Sequence, residues 1–498
     1  MDTIMEFGKP FESGGEWWLP EKPGIRLKGV LKYDPEKTLE LILTGESKEI
    51  KDFLNYRDNV VNYPVIVERI EIISGLLDNN ADITLYNKNN GYWLLKTLVI
   101  NPSIAIPGKR YEQLSDIEFS KITVEFTDLD TWVSRRSFKN SFYFDKRGTV
   151  LESALFEFEP FEKKVEIVKE QAILELNVYG TMDYIDSLDV NIKTNAIINL
   201  TNINTDNGIG LERAVTLLYG LKNLLTVLIW GPVYFKNLRV YLRDDNGLNN
   251  YNNTTDLIIA ENIPKSIKRK DTTKMLFTFP LVRDHIDVVI NTWFENIGKM
   301  MDIYILLLTT FYNEKLDPGN YFLNIVQALE GFHRRFFVGE YISKKEYDKH
   351  YLRELKTLID GLKIPDKYME TVKPVKQRLK SLLRYGYQYG LRARLREMIK
   401  TFEPKTIEYI RENREDFIRF VAGARDELSH RLYGEKDEDV SREGLEKDEK
   451  YDPRTLYIKY VELKILLAFL ILVNLGLPES VIQEREKDYQ FINTCIWR

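Results

Sequence analysis

The apolar residues of this chain change period near residue 283, and a chain that does so must build two kinds of layer. Before that point the period is two. Ile25, Leu27, Leu31 and Tyr33 alternate with polar positions, the turn Asp34-Pro35-Glu36-Lys37 follows, and Leu39, Leu41 and Leu43 alternate after it. Alternation puts one set of side chains on one face of an extended strand, so this stretch predicts a hairpin. Ile122, Val124 and Phe126, then residues 155–158 and 172–178, repeat the pattern between Asn, Gly and Asp punctuation. An apolar helix over 211–230 and a returning strand at 237–242 extend this β-rich part. After about residue 283 the period becomes helical, with segments expected at 284–312, 321–337, 345–362, 372–400, 413–433 and 454–475. The expected fold is a multidomain α+β chain: an antiparallel sandwich or barrel-like domain over 1–283, then an all-α domain over 284–498.

Composition narrows the function classes. A net charge of −5 identifies no partner, so any nucleic-acid site must be a local patch. Cys495 is the only cysteine, which excludes a disulfide framework. With a start, Met1 to Phe7, that lacks the regions of a signal peptide, this leads us to expect a cytoplasmic protein. Residues 465–473 are all apolar, yet too few for the ~20 that cross a bilayer. They predict a buried core helix, and no membrane association is expected. His285, His333, His350 and His430 show no metal-ligand spacing, so neither a metal nor another cofactor is expected. Gly208-Ile209-Gly210 lacks a third glycine and a P-loop lysine and is read as a loop. Residues 435–450 are charge-dense and predict a solvated loop beside the candidate site.

That site is Arg425-Asp426-Glu427-Leu428-Ser429-His430. Imidazole moves protons near neutral pH, and guanidinium holds the charge of a phosphate in its transition state. Asn413 is placed to cap the helix that carries them, and Phe417, Val421, Ala424, Leu428 and Leu432 recur every three or four residues toward Gly434. Arg425 and His430 then lie about 140° apart, whereas Asp426 and His430 share a stripe. Asp426 is a candidate to orient the imidazole, and the divergence of the other two favours a site composed at a dimer interface.

Other candidates carry alternatives. Glu330 is placed either to fix Arg425 or to pair with Arg334 one turn on. His333 is expected to serve packing or surface. Residues 373–405 hold ten basic residues against Glu397 and Glu403, interleaved with Tyr385, Tyr387 and Tyr389. Lys376, Arg384, Tyr385, Arg392, Arg394 and Arg396 are therefore candidate RNA contacts. A solvated amphipathic helix burying Leu379, Leu382, Leu383 and Leu391 explains the same pattern, and the two readings are compatible. Of Trp17 and Trp18, one is expected in the core and one half-exposed.

Together with Ala328-Leu329-Glu330-Gly331-Phe332-His333-Arg334, Trp17-Trp18-Leu19-Pro20, and residues 25–31 and 39–45, the Arg425–His430 motif resembles the ApeA-like branch of the HEPN superfamily over nearly the whole chain. The resemblance implies an anti-phage, abortive-infection endoribonuclease that cleaves RNA, in particular tRNA at the anticodon loop. Arg425 and His430 match the family's catalytic pair, and Asp426 occupies its polar position after the arginine. Attack by a ribose 2′-OH, without a metal, would leave a 2′,3′-cyclic phosphate. Further implied are a homo-oligomer, at least a dimer through the HEPN domain, and a phage-encoded activator. The alternative is a catalytically silent HEPN dimerisation scaffold whose β-rich domain binds a ligand or phage protein.

Overall fold

Strands Leu27–Asp34 and Thr38–Thr44 pair antiparallel, with Asp34 opposite Thr38 across the expected turn. Leu27, Leu31, Tyr33, Leu39, Leu41 and Leu43 are all buried, as the alternation requires. The computed structural model that shows this describes residues 5–57, 64–135, 138–144, 151–184, 190–204, 206–243, 249–313, 315–362, 369–410, 412–431 and 451–486. The chain divides into two compact units, residues 1–295 and 296–498.

The first unit is built on antiparallel sheets. A ten-stranded sheet carries the hairpin at its middle, beside Phe11–Trp18, and ends at Ile258–Ile259 on one side and Val65–Val67 on the other. A second sheet of seven strands centres on Val190–Asn202 and Glu118–Phe126. Neither strand order returns on itself, so among the described residues the sheets are open and neither closes as a barrel. The helix Leu211–Ile229 lays Leu221, Leu224, Leu225 and Leu228 over Val165, Leu174, Leu176 and Ile198 of the second sheet. Gly208 precedes a two-residue strand, Ile209–Gly210, which pairs with Glu118–Phe126 and starts that helix.

Both tryptophans are buried, which corrects the expectation of one half-exposed ring. Trp17 is 0% exposed and lies against Gly75, where an added Cβ would stand 2.4 Å from the indole. Trp18 is 5% exposed, with the Arg26 guanidinium 4.5 Å and the Arg110 guanidinium 5.7 Å from its ring. Cation–π contact covers the ring that the pattern left at the surface.

The second unit is helical. At its centre is Pro453–Asn474, started by Asp452, whose carboxylate accepts from Arg454 N at 2.9 Å and Thr455 N at 3.1 Å, with proline at the first position. Residues 465–472 are buried all round, as a core helix requires, and no helix among the described residues is long and apolar enough to cross a membrane. Pro318–Phe336 packs along it, with Tyr321 stacked on Tyr460 at 5.0 Å. Asp317 caps that helix by accepting from Gly319 N at 2.8 Å.

One expected helix divides in two. Residues 372–400 form Met369–Leu383 and Leu391–Lys400, not a continuous helix. Between them Tyr389 N donates to Gly339 O at 2.8 Å, and Tyr341 N donates to Tyr387 O at 2.8 Å. These distant partners satisfy backbone groups that a helix would have used locally.

Candidate functional site

The helix Arg414–Arg431 begins where Asn413 Oδ1 accepts from Glu415 N at 2.9 Å, and Glu415 and Asp416 place negative charge at its positive end. Phe417, Val421 and Ala424 are buried on one stripe. Leu428 continues it and rests against Gly319, so this helix is seated on the start of Pro318–Phe336. Arg425 follows Ala424 at the edge of the stripe, and its side chain keeps 41% exposure. His430 lies in the last turn, about 7.5 Å further along the axis. The His430 side chain and residues 432–450 lie outside the described ones.

Arg425 opens onto a cleft of about 460 Å³. Ser429 joins it from the same helix. Leu323, Val326, Gln327, Glu330, Gly331 and Arg334 come from Pro318–Phe336, and Asp302, Ile303 and Leu306 from the Ile286–Tyr312 helix. Arg425 and Glu330 are thus brought to one cleft, without a salt bridge between them among the described residues. Arg425 Nη1 instead donates to Asp426 Oδ1 at 3.1 Å. Both groups are exposed, so this contact is a weak restraint on the guanidinium. Arg335 Nη2 donates to Asp302 Oδ2 at 2.8 Å. Neither Glu330 nor Arg334 has a salt-bridge partner among the described residues, so the i, i+4 pair that their spacing allows is not formed. Sequence reasoning did not single out Gln327 or Ser429. Their signal is helical spacing: Gln327, Glu330 and Arg334 recur at three and four residues, Arg425 and Ser429 at four.

On the buried side of Pro318–Phe336 lies His333, at 0% exposure, which is the packing role expected of it. Its Nε2 is 2.7 Å from Glu397 Oε2, and Arg394 Nη1 donates to its Nδ1 at 3.1 Å. Because guanidinium can only donate, Nδ1 must accept and Nε2 carries the proton to Glu397. The ring stacks on Phe337 at 4.9 Å. Burial holds the His333 pKa below the usual histidine value, with the Arg394 charge acting in the same direction, while the hydrogen bond to Glu397 opposes them.

The candidate RNA contacts divide into exposed and committed groups. Arg384 and Arg392 are exposed, as is Tyr385 at 65%. Lys376 is half-buried and donates to Asp360 O at 2.7 Å. Arg396 is held bidentately by Glu415 at 2.7 and 2.6 Å. Arg394 corrects the expectation of an outward-facing residue, since it is 4% exposed and also donates through Nε to Tyr389 O at 2.8 Å. Tyr387 is buried as well. Among the described residues, no group of three His, Cys, Asp or Glu side chains converges as a metal site would need.

Two family models match the chain. The model described as ApeA N-terminal domain 1 matches residues 12–293, and the Apea-like HEPN model matches residues 323–481. The second match spans Glu330, Arg425 and His430. No curated protein and no solved structure matches.

Proposed function

The chain belongs to the ApeA-like HEPN family, and from that membership we propose that it is an endoribonuclease of anti-phage abortive infection, cutting tRNA in its anticodon loop through Arg425 and His430. The observation that carries this reading is the Arg425 cleft, whose residues from Leu323 onward fall in the HEPN-matched segment and which combines a half-exposed guanidinium with polar groups of a second helix.

His430 takes the proton from a ribose 2′-OH, whose oxygen then bonds to the adjacent phosphorus. Arg425 holds the negative charge that develops on the phosphoryl oxygens. The bond from phosphorus to the 5′ oxygen breaks, that oxygen takes up a proton, and the products carry a 2′,3′-cyclic phosphate and a 5′-OH. Asp426 serves as a positioning residue. Lys376, Arg384, Tyr385 and Arg392 hold the RNA strand by charge and stacking. Because Arg425 and His430 diverge on their helix, two copies complete the site between them. In this reading residues 1–283 sense infection, through a phage-encoded activator, and restrain a nuclease domain over residues 284–498 in the cytoplasm.

The test is purified full-length protein incubated with total tRNA in EDTA, alongside sequencing of RNA ends from infected cells. Ends bearing 2′,3′-cyclic phosphate in anticodon loops are expected. Intact RNA beside cleaved DNA, or 3′-OH ends, would overturn the reading, and a silent scaffold would leave all RNA intact. Light scattering tests the composite site, which a strictly monomeric active protein would remove.

A further inference from the structure

We propose that Arg334 is a second phosphate-binding side chain of the Arg425 cleft, gripping the RNA phosphate next to the one at which the chain is cut. The inference rests on the ribonuclease reading above and adds a substrate contact to it.

Three observations carry it. Arg334 lines the same cleft as Arg425 from the neighbouring helix. It is exposed and has no salt-bridge partner among the described residues, whereas Arg335 is engaged by Asp302 and Arg425 by Asp426. Its charge also reaches the buried Arg394, on which the Glu330 and Glu397 carboxylates act in the opposite sense, and Glu330, one turn away, forms no salt bridge with Arg334 among the described residues. An exposed guanidinium held in no salt bridge is open to an arriving anion. The geometry of guanidinium suits the two oxygens of a phosphate.

The rest of the cleft fits a nucleotide between two phosphates. Ile303, Leu306, Leu323 and Val326 offer an apolar wall to a base, while Gln327 and Ser429 offer polar groups to a ribose. At about 460 Å³ the space falls in the range of about 300–1,000 Å³ that holds small ligands.

The experiment compares full-length wild type, Arg334→Gln, Arg334→Lys and the remote control Lys345→Gln. Each is measured for binding to an uncleavable RNA carrying 2′-deoxy sugars, over a range of salt, and for kcat and KM on the cleavable RNA. Arg334→Gln is expected to weaken binding and raise KM by about tenfold while kcat stays within about twofold, since the contact is made before and during reaction alike. Its salt slope should fall by about 0.7, the value for one phosphate of a single strand. Arg334→Lys should restore part of the affinity, and Lys345→Gln should behave as wild type. Unchanged affinity, KM and salt slope in Arg334→Gln would overturn this inference alone, provided wild type still cuts RNA. A wild type that neither binds nor cuts RNA overturns both readings.

Discussion

Arg394 donates from Nη1 to Nδ1 of His333 at 3.1 Å and thereby fixes the buried imidazole as the neutral tautomer that donates to Glu397. Protonating His333 would bring a second donor against the guanidinium. This relay joins the helix that lines the cleft, Pro318–Phe336, to Leu391–Lys400.

A pH dependence follows from the relay. The unfolded imidazole titrates at its ordinary value of 6.5, while burial and Arg394 hold the folded one lower and Glu397 compensates only in part. Between the two values the native state binds fewer protons than the unfolded state, so stability is full above 6.5 and declines as pH falls through it. Thermal melts across this window should show a falling Tm in wild type and a shallower fall in His333→Gln. Equal slopes in both would remove His333 from the account.

Gly339 closes over the same imidazole in a left-handed conformation, φ +62, where an added Cβ would lie 2.7 Å from His333 Cε1. The ring is held at both nitrogens and cannot move aside. Gly339→Ala should therefore cost about 2 kcal/mol from backbone strain and the clash together. Denaturant unfolding measures this, and a loss within experimental error would show that the ring gives way.

Arg425→Ala and His430→Ala should each abolish RNA cleavage, a loss of about a hundredfold or more, with thermal stability unchanged for Arg425→Ala because its side chain is 41% exposed. Asp426→Ala should cost less, since orienting the imidazole is secondary to having it and the carboxylate's salt bridge to Arg425 lies at the surface. Full cleavage in either of the first two variants would sink the catalytic assignment. An Asp426 variant as inactive as the His430 variant would give the carboxylate a direct part.

Arg392 and Arg394 should respond oppositely to charge reversal. Arg392→Glu, at an exposed position, should leave the fold intact, weaken RNA binding for all sequences, and reduce its salt dependence. Arg394→Glu should destabilise the protein by about 3 kcal/mol or more, because His333 and Tyr389 lose their donor and a buried carboxylate appears beside Glu397. Circular dichroism melts and RNA affinity, read on both variants, separate the two roles. A stable Arg394→Glu protein that fails only in RNA binding would return Arg394 to the surface strip.

The features that were legible in the chain itself are those set by neighbours in sequence. Leu27 to Leu43 alternate because a strand places successive side chains on opposite faces, and Asp34 to Lys37 turn because Pro35 presets the backbone there. Asp452-Pro453 starts a helix by the same local chemistry, and the apolar run behind it required burial on every side. The Arg425–His430 spacing and its family likeness were likewise readable without a structure.

Tertiary structure decided whatever depended on partners far along the chain. Tyr387 and Tyr389 leave the helix because Tyr341 and Gly339, more than forty residues earlier, take their backbone hydrogen bonds. Arg394 turns inward for His333, sixty-one positions away, although its neighbours Arg392 and Arg396 keep the outward pattern of a basic face. Arg334 came to share a cleft with Arg425 in the same way, through the packing of two helices that are far apart in the chain. Periodicity reports which face of an element is apolar, but the identity of the group across from a polar side chain is set only when the elements pack.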